Sequence, residues 1–272
     1  MPELPEVETV RRTLASVVGQ RIGRVWDSGK GLHMGRPAPR QRLRGLKGAT
    51  IHSLRRRGKY LLLDTDRSKS LLVHLGMTGR LLLAASETAR PKHTHMVLQL
   101  GARSELRFVD ARRFGLIDVV ERESDHSALS SLGPDPLVDG VDAERLYRVA
   151  RDKRTTLKAF VLDQRVLAGI GNIYASEALW RARLRPSRQA GELSVGAARK
   201  LAAAITLVLD NALDKGGTSL RDFVNAAGVQ GENADYLWVY GRVGEPCLRC
   251  KARIARVVLH GRATFFCPAC QA

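Results

Sequence analysis

Four cysteines near the C-terminus have the spacing of a metal site. They are all the cysteines of the sequence and form two C-x2-C pairs separated by sixteen residues: Cys247, Cys250, Cys267 and Cys270. Two such pairs are typical of four thiolates around a tetrahedral zinc ion. Two chance pairs of buried thiols would not need equal internal spacing, and we therefore expect one zinc ion. Its role is structural, because four protein ligands leave no position open for a reactant.

The residues between the cysteine pairs predict a basic β-hairpin. Residues 255–259 and 262–266 have the pattern of two strands joined by His260 and Gly261. From Cys247 onward the chain has five basic residues and no acidic one: Arg249, Lys251, Arg253, Arg256 and Arg262. A rigid basic hairpin suits contact with phosphates or a groove. The alternative is a hairpin that only stabilises the fold and whose charges are solvated. Composition alone does not choose between these two roles.

The whole chain carries a large positive charge. Its 45 Lys and Arg residues exceed its 27 Asp and Glu residues, which gives a formal net charge of +18. Such an excess is typical of proteins that bind polyanions, and nucleic acid is the leading candidate. The bias toward arginine is also compatible with background codon composition. No apolar run approaches the roughly 20 residues of a membrane span, and the first residues lack the pattern of a secretory signal.

The elements that must position these residues differ between the two halves of the chain. Residues 5–18 predict an amphipathic helix, with Pro5 at its first position and Gly19 after its end. Short β-type runs follow at 21–26, 50–54, 60–63, 70–75, 96–100, 105–109 and 115–120. These runs predict a β-sandwich or barrel.

Beyond a polar, proline-containing linker at residues 124–141, the hydrophobic period is helical. One or two helices are predicted over 146–163 and another over 173–184. Ser194 caps a further, longer helix. The loop at residues 167–172 contains paired glycines and joins two helices, as in a helix-turn-helix.

Eight motifs occur in one order along the chain. They are the opening MPELPEVE, RRRGKY around Lys59, HLGMTG at 74–79, KHTH at 92–95, DARRFG at 110–115, GIGNIYASE at 169–177, VYGR at 239–242 and the terminal four-cysteine finger. On these motifs, and over essentially its whole length, the chain resembles the bacterial formamidopyrimidine-DNA glycosylases, which excise 8-oxoguanine. One motif could arise by chance, but eight in the family order could not.

The resemblance implies an α+β multidomain architecture. It consists of an N-terminal β-sandwich with flanking helices, a helical helix-two-turn-helix domain and a C-terminal four-cysteine zinc-finger β-hairpin. We assign the sandwich to residues 1–123, the linker to 124–141, the helical domain to 142–237 and the zinc finger to 238–272. This agrees with the order of strands, helices and cysteines.

The resemblance also implies catalytic roles for four residues. Removal of Met1 would expose the secondary amine of Pro2, whose pKa of about 8 leaves it partly unprotonated at neutral pH. In the family this amine attacks C1′ of the damaged nucleotide and forms an iminium, from which β- and δ-elimination follow. Glu3 is the acid that protonates the opening sugar, Lys59 the proton carrier of β-elimination and Arg262 the residue of δ-elimination. The alternatives are a flexible tail without a role for Pro2 and Glu3, and an exposed phosphate contact for Lys59.

Further residues match the family's DNA contacts. Met77, Arg112 and Phe114 match the trio that fills the gap left by an extruded nucleotide. Four more residues match family positions that contact DNA. Three belong to the helical half, and the fourth is a histidine of the first half: Asn172, Arg154, Lys158 and His93. The alternatives are ordinary core residues for Met77 and Phe114 and a satisfied surface histidine for His93.

Two other functions fit parts of the sequence. The endonuclease VIII branch shares the fold, Pro2 and the zinc finger but prefers oxidised pyrimidines. Leu4, the gap-filling trio and the VYGR segment argue against it, whereas Glu232 and Asn233 stand where aromatic residues are frequent in the loop that closes over the extruded base. A noncatalytic zinc-finger DNA-binding protein would tolerate the loss of the catalytic residues, and all of them are present.

We therefore expect a base-excision repair enzyme that is a DNA glycosylase and abasic-site lyase for oxidised purines. Its partner is damaged double-stranded DNA, and its cofactor is one structural zinc ion. We expect a monomer that does not engage membranes and is located in the cytoplasm, associated with the nucleoid through DNA.

Overall fold

The computed structural model describes residues 1–32 and 40–271, and the chain forms two compact units. The first unit combines Met1–Ser130 with Lys215–Ala234. The second combines Ser131–Asp214 with Asp235–Ala272. Among the described helices, none has the length and apolar character needed to cross a membrane.

The first unit is built on two four-stranded antiparallel sheets. Its helices and strands are α1 Leu4–Thr13, β1 Ile22–Asp27, α2 Arg40–Arg44, β2 Ile51–Arg57, β3 Tyr60–Thr65, β4 Ser70–His74, β5 Arg80–Ala85, β6 Thr94–Leu100, β7 Ser104–Val109, β8 Leu116–Val120 and α3 Ser127–Ser130. One sheet has the order β1-β6-β7-β5 and the other β2-β3-β4-β8. The seven predicted strands are confirmed. The prediction lacks β5 because its sequence, RLLLAA, is an apolar run without the alternation of a half-buried strand.

Both sheets and α1 contribute to one hydrophobic core. Val7, Val10 and Leu14 lie on the buried stripe predicted for the first helix. Inward-facing residues of the two sheets join them, among them Met96, Leu98, Leu106, Phe108, Leu61, Leu63, Leu71 and Val73. The regular part of α1 ends at Thr13, earlier than predicted, and a short 3-10 turn at Ala15–Val17 follows.

The segment Lys215–Ala234 departs from the predicted boundaries, which assign it to the helical domain. Phe223 and Ala226 enter the core of the first unit. The Leu83 N–H of β5 donates to the Ala226 carbonyl at 3.0 Å, and the Ala226 N–H donates to Thr13 Oγ1 at 3.2 Å. The segment therefore folds with the strands rather than with the helix that precedes it.

The second unit contains four helices and the C-terminal hairpin. These elements are α4 Ala143–Ala150, α5 Leu157–Leu162, α6 Asn172–Arg181, α7 Val195–Asp214, β9 Ala255–Leu259 and β10 Arg262–Phe266. Ser194 Oγ accepts the Ala197 N–H at 3.2 Å, which confirms the predicted cap of α7. The hairpin turn is His260-Gly261, as predicted, and both residues have positive φ (48° and 73°), as a tight hairpin turn requires.

Candidate nucleic-acid interface and zinc centre

Pro2 and Glu3 are buried at the start of α1. Glu3 is only 2% exposed, and its N–H donates to Glu6 Oε2 at 2.8 Å. The other oxygen of Glu6, Oε1, accepts the Thr218 N–H at 2.8 Å. Met1 is exposed. The fold therefore holds the two N-terminal candidate residues in place, which disfavours the flexible-tail alternative.

Lys59 lies in the two-residue turn between β2 and β3. Gly58, with φ of 56°, occupies the first turn position, where a hairpin turn of this length favours glycine. Lys59 is 8% exposed. The structure thus places this lysine in a partly dehydrated position. A charge run usually indicates an exposed phosphate contact, and Lys59 is not exposed in that way.

A buried ion pair connects α1 to the turn that carries Lys59. Arg56 Nε donates to Glu8 Oε2 at 3.1 Å, and Arg56 Nη1 donates to the Gly58 carbonyl at 3.0 Å. Burial by itself raises the pKa of Glu8. Hydrogen bonds from Arg11, Arg12 and Arg56 outweigh this effect and lower the pKa to about 2. Glu8 is therefore ionised at neutral pH, and one salt-bridged pair links the two elements that bear Glu3 and Lys59.

His74, at the end of β4, is a neutral neighbour of Lys59. Burial, together with the positive charge of Lys59, lowers the pKa of His74 to about 4. Its Nδ1 lies 3.0 Å from the Gly76 N–H and accepts its hydrogen bond, and its ring lies 4.7 Å from that of Tyr60. His74 therefore fixes the start of the loop that carries Met77 without adding a second positive charge beside Lys59.

The proposed gap-filling trio lies on two neighbouring loops of the first unit. Met77 is 42% exposed, and the Arg112 guanidinium lies 4.5 Å from the centre of the Phe114 ring. The two loops are in direct backbone contact, because a Cβ on Gly76 would lie 2.5 Å from the Phe114 carbonyl carbon. Neither Met77 nor Phe114 belongs to the core. The core alternative for these two residues is therefore wrong.

His93 is exposed on a third loop of the same unit. Its φ is 67°, a conformation that residues other than glycine seldom adopt. The His93 carbonyl accepts the Asp110 N–H at 3.0 Å. This contact joins the His93 loop to the one that carries Arg112.

In the second unit, Lys158 is buried and does not reach the surface. It is 1% exposed, and its Nζ donates to the Asn172 carbonyl at 2.8 Å and to Ser176 Oγ. The expected direct contact of Lys158 with DNA is therefore replaced by a positioning role at the start of α6. The sequence motif identified the residue, but its burial depends on the packing of α5 against α6.

Asn172 connects the start of α6 to the hairpin. Its Nδ2 donates to the Ala263 carbonyl on β10 at 2.8 Å. Arg262, the preceding residue, is exposed and pairs with Leu259 across the hairpin. Arg154 is also exposed, shortly before α5. The second unit thus presents Arg154 and Arg262 to solvent and fixes the hairpin to α6 through Asn172.

Glu177, on α6, is a buried carboxylate that the sequence analysis did not single out. It accepts the backbone N–H groups of Trp238, Val239 and Tyr240 at 2.7, 2.9 and 2.8 Å. Burial raises its pKa in spite of these three donors. The signal was present, because Glu177 ends GIGNIYASE and two of its three partners, Val239 and Tyr240, begin VYGR. Nothing in either motif alone shows that they meet.

The four cysteine thiols converge on one point. All four Sγ atoms lie within 4.8 Å of one another, and the Cys250–Cys267 and Cys247–Cys270 Sγ distances are 3.4 and 4.0 Å. Zinc–sulfur bonds of about 2.3 Å in a tetrahedron require sulfur atoms about 3.8 Å apart. These separations fit zinc and are too long for a disulfide. The predicted structural zinc centre is confirmed.

Comparison with protein families covers nearly the whole chain. Residues 1–117 match the formamidopyrimidine-DNA glycosylase N-terminal domain, residues 132–224 the H2TH domain of the same enzymes and residues 244–272 a zinc finger found in FPG and IleRS. The chain belongs to the formamidopyrimidine-DNA glycosylase family. The family architecture accounts for both compact units and for the zinc centre.

Individual members of the family are similar over their full lengths. Formamidopyrimidine-DNA glycosylases of Xanthomonas axonopodis pv. citri and Marinobacter nauticus are 43% and 42% identical, and each alignment covers 100% of both chains. Among solved structures, a Lactococcus lactis FPG variant bound to Fapy-dG-containing DNA has a TM-score of 0.91, and Lactococcus lactis Fpg bound to abasic-site DNA has 0.90. Both are 34% identical and cover 99% of this chain and 99% of theirs.

Proposed function

We propose that this member of the glycosylase family is a bifunctional DNA glycosylase and abasic-site lyase that uses the N-terminal amine of Pro2. The observation that carries the proposal is the buried Pro2-Glu3 arm at the start of α1. Within the same unit, Glu8 and Arg56 link this helix to the turn that bears Lys59. A nucleophile, an acid and an amine that can carry protons thus reside on elements that are fixed to one another.

In the proposed reaction, removal of Met1 releases the secondary amine of Pro2. The amine lone pair attacks C1′ of the deoxyribose, and the bond from C1′ to the base breaks; the departing base takes up a proton, and the attacking nitrogen loses its own. Ring opening, in which Glu3 protonates the ring oxygen, produces the iminium between Pro2 and C1′. Lys59 then carries the C2′ proton away during β-elimination of the 3′ phosphate. Arg262 assists δ-elimination of the 5′ phosphate.

The proposed substrate is an oxidised purine, such as 8-oxoguanine or a formamidopyrimidine, in duplex DNA. The Lactococcus lactis neighbours are complexes with Fapy-dG-containing and abasic-site DNA. The exposed Met77 and the stacked Arg112 and Phe114 offer the groups needed to fill the gap after the nucleotide leaves the stack. Their joint presence favours this substrate over the oxidised pyrimidines of the endonuclease VIII branch.

Each unit has exposed basic residues that suit binding to DNA. The net charge of +18 favours a polyanion in general. Arg154, Arg262 and His93 are exposed and suit phosphate contacts, and the start of α6 at Asn172 offers the positive end of a helix dipole. We further propose that the protein is located in the cytoplasm and associates with the nucleoid through DNA.

Borohydride trapping tests the proposal. The protein is incubated with duplexes that contain 8-oxoguanine or an oxidised pyrimidine, the iminium is reduced to a stable adduct, and the adduct is mapped by peptide sequencing. We expect trapping on the 8-oxoguanine duplex, with the adduct on Pro2. In a variant extended by one uncleaved N-terminal residue, the Pro2 nitrogen is an amide and not a free secondary amine, so this variant should neither excise nor trap at Pro2.

The two duplexes and the extended variant separate the possible failures. Normal trapping by the extended protein, with the adduct mapped to Lys59, would move the nucleophile to that residue. Preferred trapping on the oxidised pyrimidine would assign the protein to the endonuclease VIII branch. Duplex binding without any trapping would make it a noncatalytic DNA-binding protein.

A further inference from the structure

Asp110 is a fully buried carboxylate immediately after β7, and it has no assigned part in the proposed chemistry. It is 0% exposed. Its Oδ1 accepts the Thr78 hydroxyl at 2.6 Å and the Arg112 N–H at 3.2 Å, and its Oδ2 accepts the Gly115 N–H at 2.8 Å. One side chain therefore binds both the loop that carries Met77 and the loop that carries Arg112 and Phe114.

The backbone of Asp110 adds a third loop to this cluster. Its N–H donates to the His93 carbonyl at 3.0 Å, and its carbonyl lies 3.0 Å from His95 Nε2. Burial lowers the pKa of His95, which favours a neutral ring whose Nε2–H donates to this carbonyl. All three loops of the first unit that carry the proposed DNA contacts are thus hydrogen-bonded to one residue.

Close backbone packing leaves little room for these loops to move independently. A Cβ on Gly76 would lie 2.6 Å from the Gly115 nitrogen, and one on Gly115 would lie 2.9 Å from the His74 carbonyl oxygen. The positive φ of Gly76, 61°, also disfavours other residues there. Glycine at both positions allows the backbones to touch, and the Asp110 carboxylate holds them in that arrangement.

We propose that Asp110 is a positioning residue that holds Met77, Arg112 and Phe114 in the arrangement needed to fill the gap in duplex DNA. This inference rests on the proposed function. Insertion of three side chains at once is favoured when their loops are ordered before DNA binds, because less conformational entropy is then lost in the complex. A buried carboxylate with three donors supplies that order and does not contact DNA itself.

The variant Asp110→Asn tests this role with little change in shape. An asparagine has one carbonyl oxygen and cannot accept both the Arg112 and the Gly115 N–H groups from their two sides, so one N–H group of the loop that carries Arg112 and Phe114 is left without its acceptor. The readout is the ratio of two activities: excision of 8-oxoguanine from a duplex and cleavage of an abasic site in single-stranded DNA. Single-stranded DNA has no opposite base and no gap to fill, but its cleavage still needs the proposed nucleophile.

We expect duplex excision by Asp110→Asn to fall about tenfold, the effect of one unsatisfied buried donor, with single-strand cleavage unchanged. Thr78→Val removes the hydroxyl bond to Oδ1 and the long bond that Thr78 Oγ1 accepts from the Arg112 N–H at 3.4 Å, but it keeps the carboxylate, and it should lower the same ratio by a smaller factor. If Asp110→Asn does not fold, the ratio measured for Thr78→Val tests the proposed role of Asp110. Asp66→Asn is the control for the same substitution at an exposed position, because Asp66 accepts the Thr50 N–H elsewhere in the unit, and its ratio should not change.

The outcomes distinguish the inference from the proposed function. Equal losses on both substrates, which leave the ratio unchanged, would make Asp110 a merely structural residue, and full activity of the folded variants on both substrates would remove its role in filling the gap. Either result overturns the inference and leaves the nucleophile assignment standing. A wild-type protein without activity on either substrate would overturn the proposed function, and the inference with it.

Discussion

Glu3 and Lys59 are ionisable side chains kept largely from water at the positions where the proposed reaction moves protons. Glu3 lies at the start of α1 and Lys59 in the turn after β2, and both are buried. Partial dehydration strengthens their electrostatic interactions with a substrate and limits competition from water. At the scale of single residues, the burial of these groups is therefore as important as their chemical type.

Replacement of Glu3 by Gln separates the two activities at this scale. Glutamine keeps the backbone N–H that donates to Glu6, but it cannot donate a proton to the sugar. We expect excision of 8-oxoguanine to fall by about a hundredfold, a magnitude typical of lost general acid catalysis, with much smaller loss on preformed abasic sites. Single-turnover assays on both substrates measure this.

Glu144→Gln, at an exposed position of α4, is the control for a lost carboxylate. Equal impairment of Glu3→Gln on both substrates would contradict the assigned role.

At the scale of elements, helix α1 and the β2–β3 hairpin form one positioning assembly. Arg56 binds Glu8 on the helix and the Gly58 carbonyl in the hairpin turn. A buried pair of this kind is costly to break, because the remaining partner is left as an uncompensated charge. The Glu6–Thr218 hydrogen bond attaches the segment after α7 to the same helix.

The assembly makes stability depend on pH in the acidic range. Glu8 has a pKa of about 2 in the folded protein, well below the ordinary glutamate value of 4.5. Because the folded pKa is the lower one, the stabilisation is fully present above about pH 4.5 and is lost as the pH falls toward 2. The difference corresponds to about 3 kcal/mol.

Glu8→Gln should therefore lower the free energy of unfolding at neutral pH by about that amount and flatten its fall between about pH 4.5 and 2. Urea unfolding of both proteins at a series of pH values measures the effect, with Glu144→Gln as the exposed control. The same acid dependence in Glu8→Gln and wild type would show that other carboxylates cause it.

At the scale of the whole molecule, the zinc module and the helical unit share a core. Val239, Cys247, Ile254, Phe265 and Cys267 pack with Trp180 of α6. The Arg249 guanidinium lies 4.2 Å from the centre of the Trp180 ring. Gln271 joins the end of the chain to the turn after α6, because its Nε2 donates to the Leu184 carbonyl at 2.9 Å. Loss of zinc should therefore disturb more than the hairpin.

Cys250→Ser should release zinc and weaken binding to duplex DNA by about tenfold, since the basic hairpin loses the metal that orders it. Metal analysis and fluorescence anisotropy with a labelled duplex measure the two effects. Val258→Ser changes an exposed residue of the same hairpin and keeps all four thiols, so it should retain both zinc and affinity. Retention of zinc by Cys250→Ser, or its absence from the wild type, would refute the prediction.

The sequence by itself determined the features that depend on neighbours along the chain. The cysteine spacing, the Ser194 cap and the His260-Gly261 turn are local, because a cap or a tight turn involves residues only a few positions apart. Seven strands and the long helix followed from their hydrophobic periods. The family motifs supplied the candidate residues, including Lys59 and Lys158, but not their surroundings.

The tertiary structure alone decided which of these residues reach solvent and which hold others in place. Lys158 is buried because α5 packs against α6, and residues 215–234 fold with the first unit through contacts such as Glu6–Thr218, which spans 212 positions. Asp110 acquires its role only when three separate loops converge on it. The partners of a buried polar group are set by long-range packing. Local propensity and hydrophobic period contain no information about that packing.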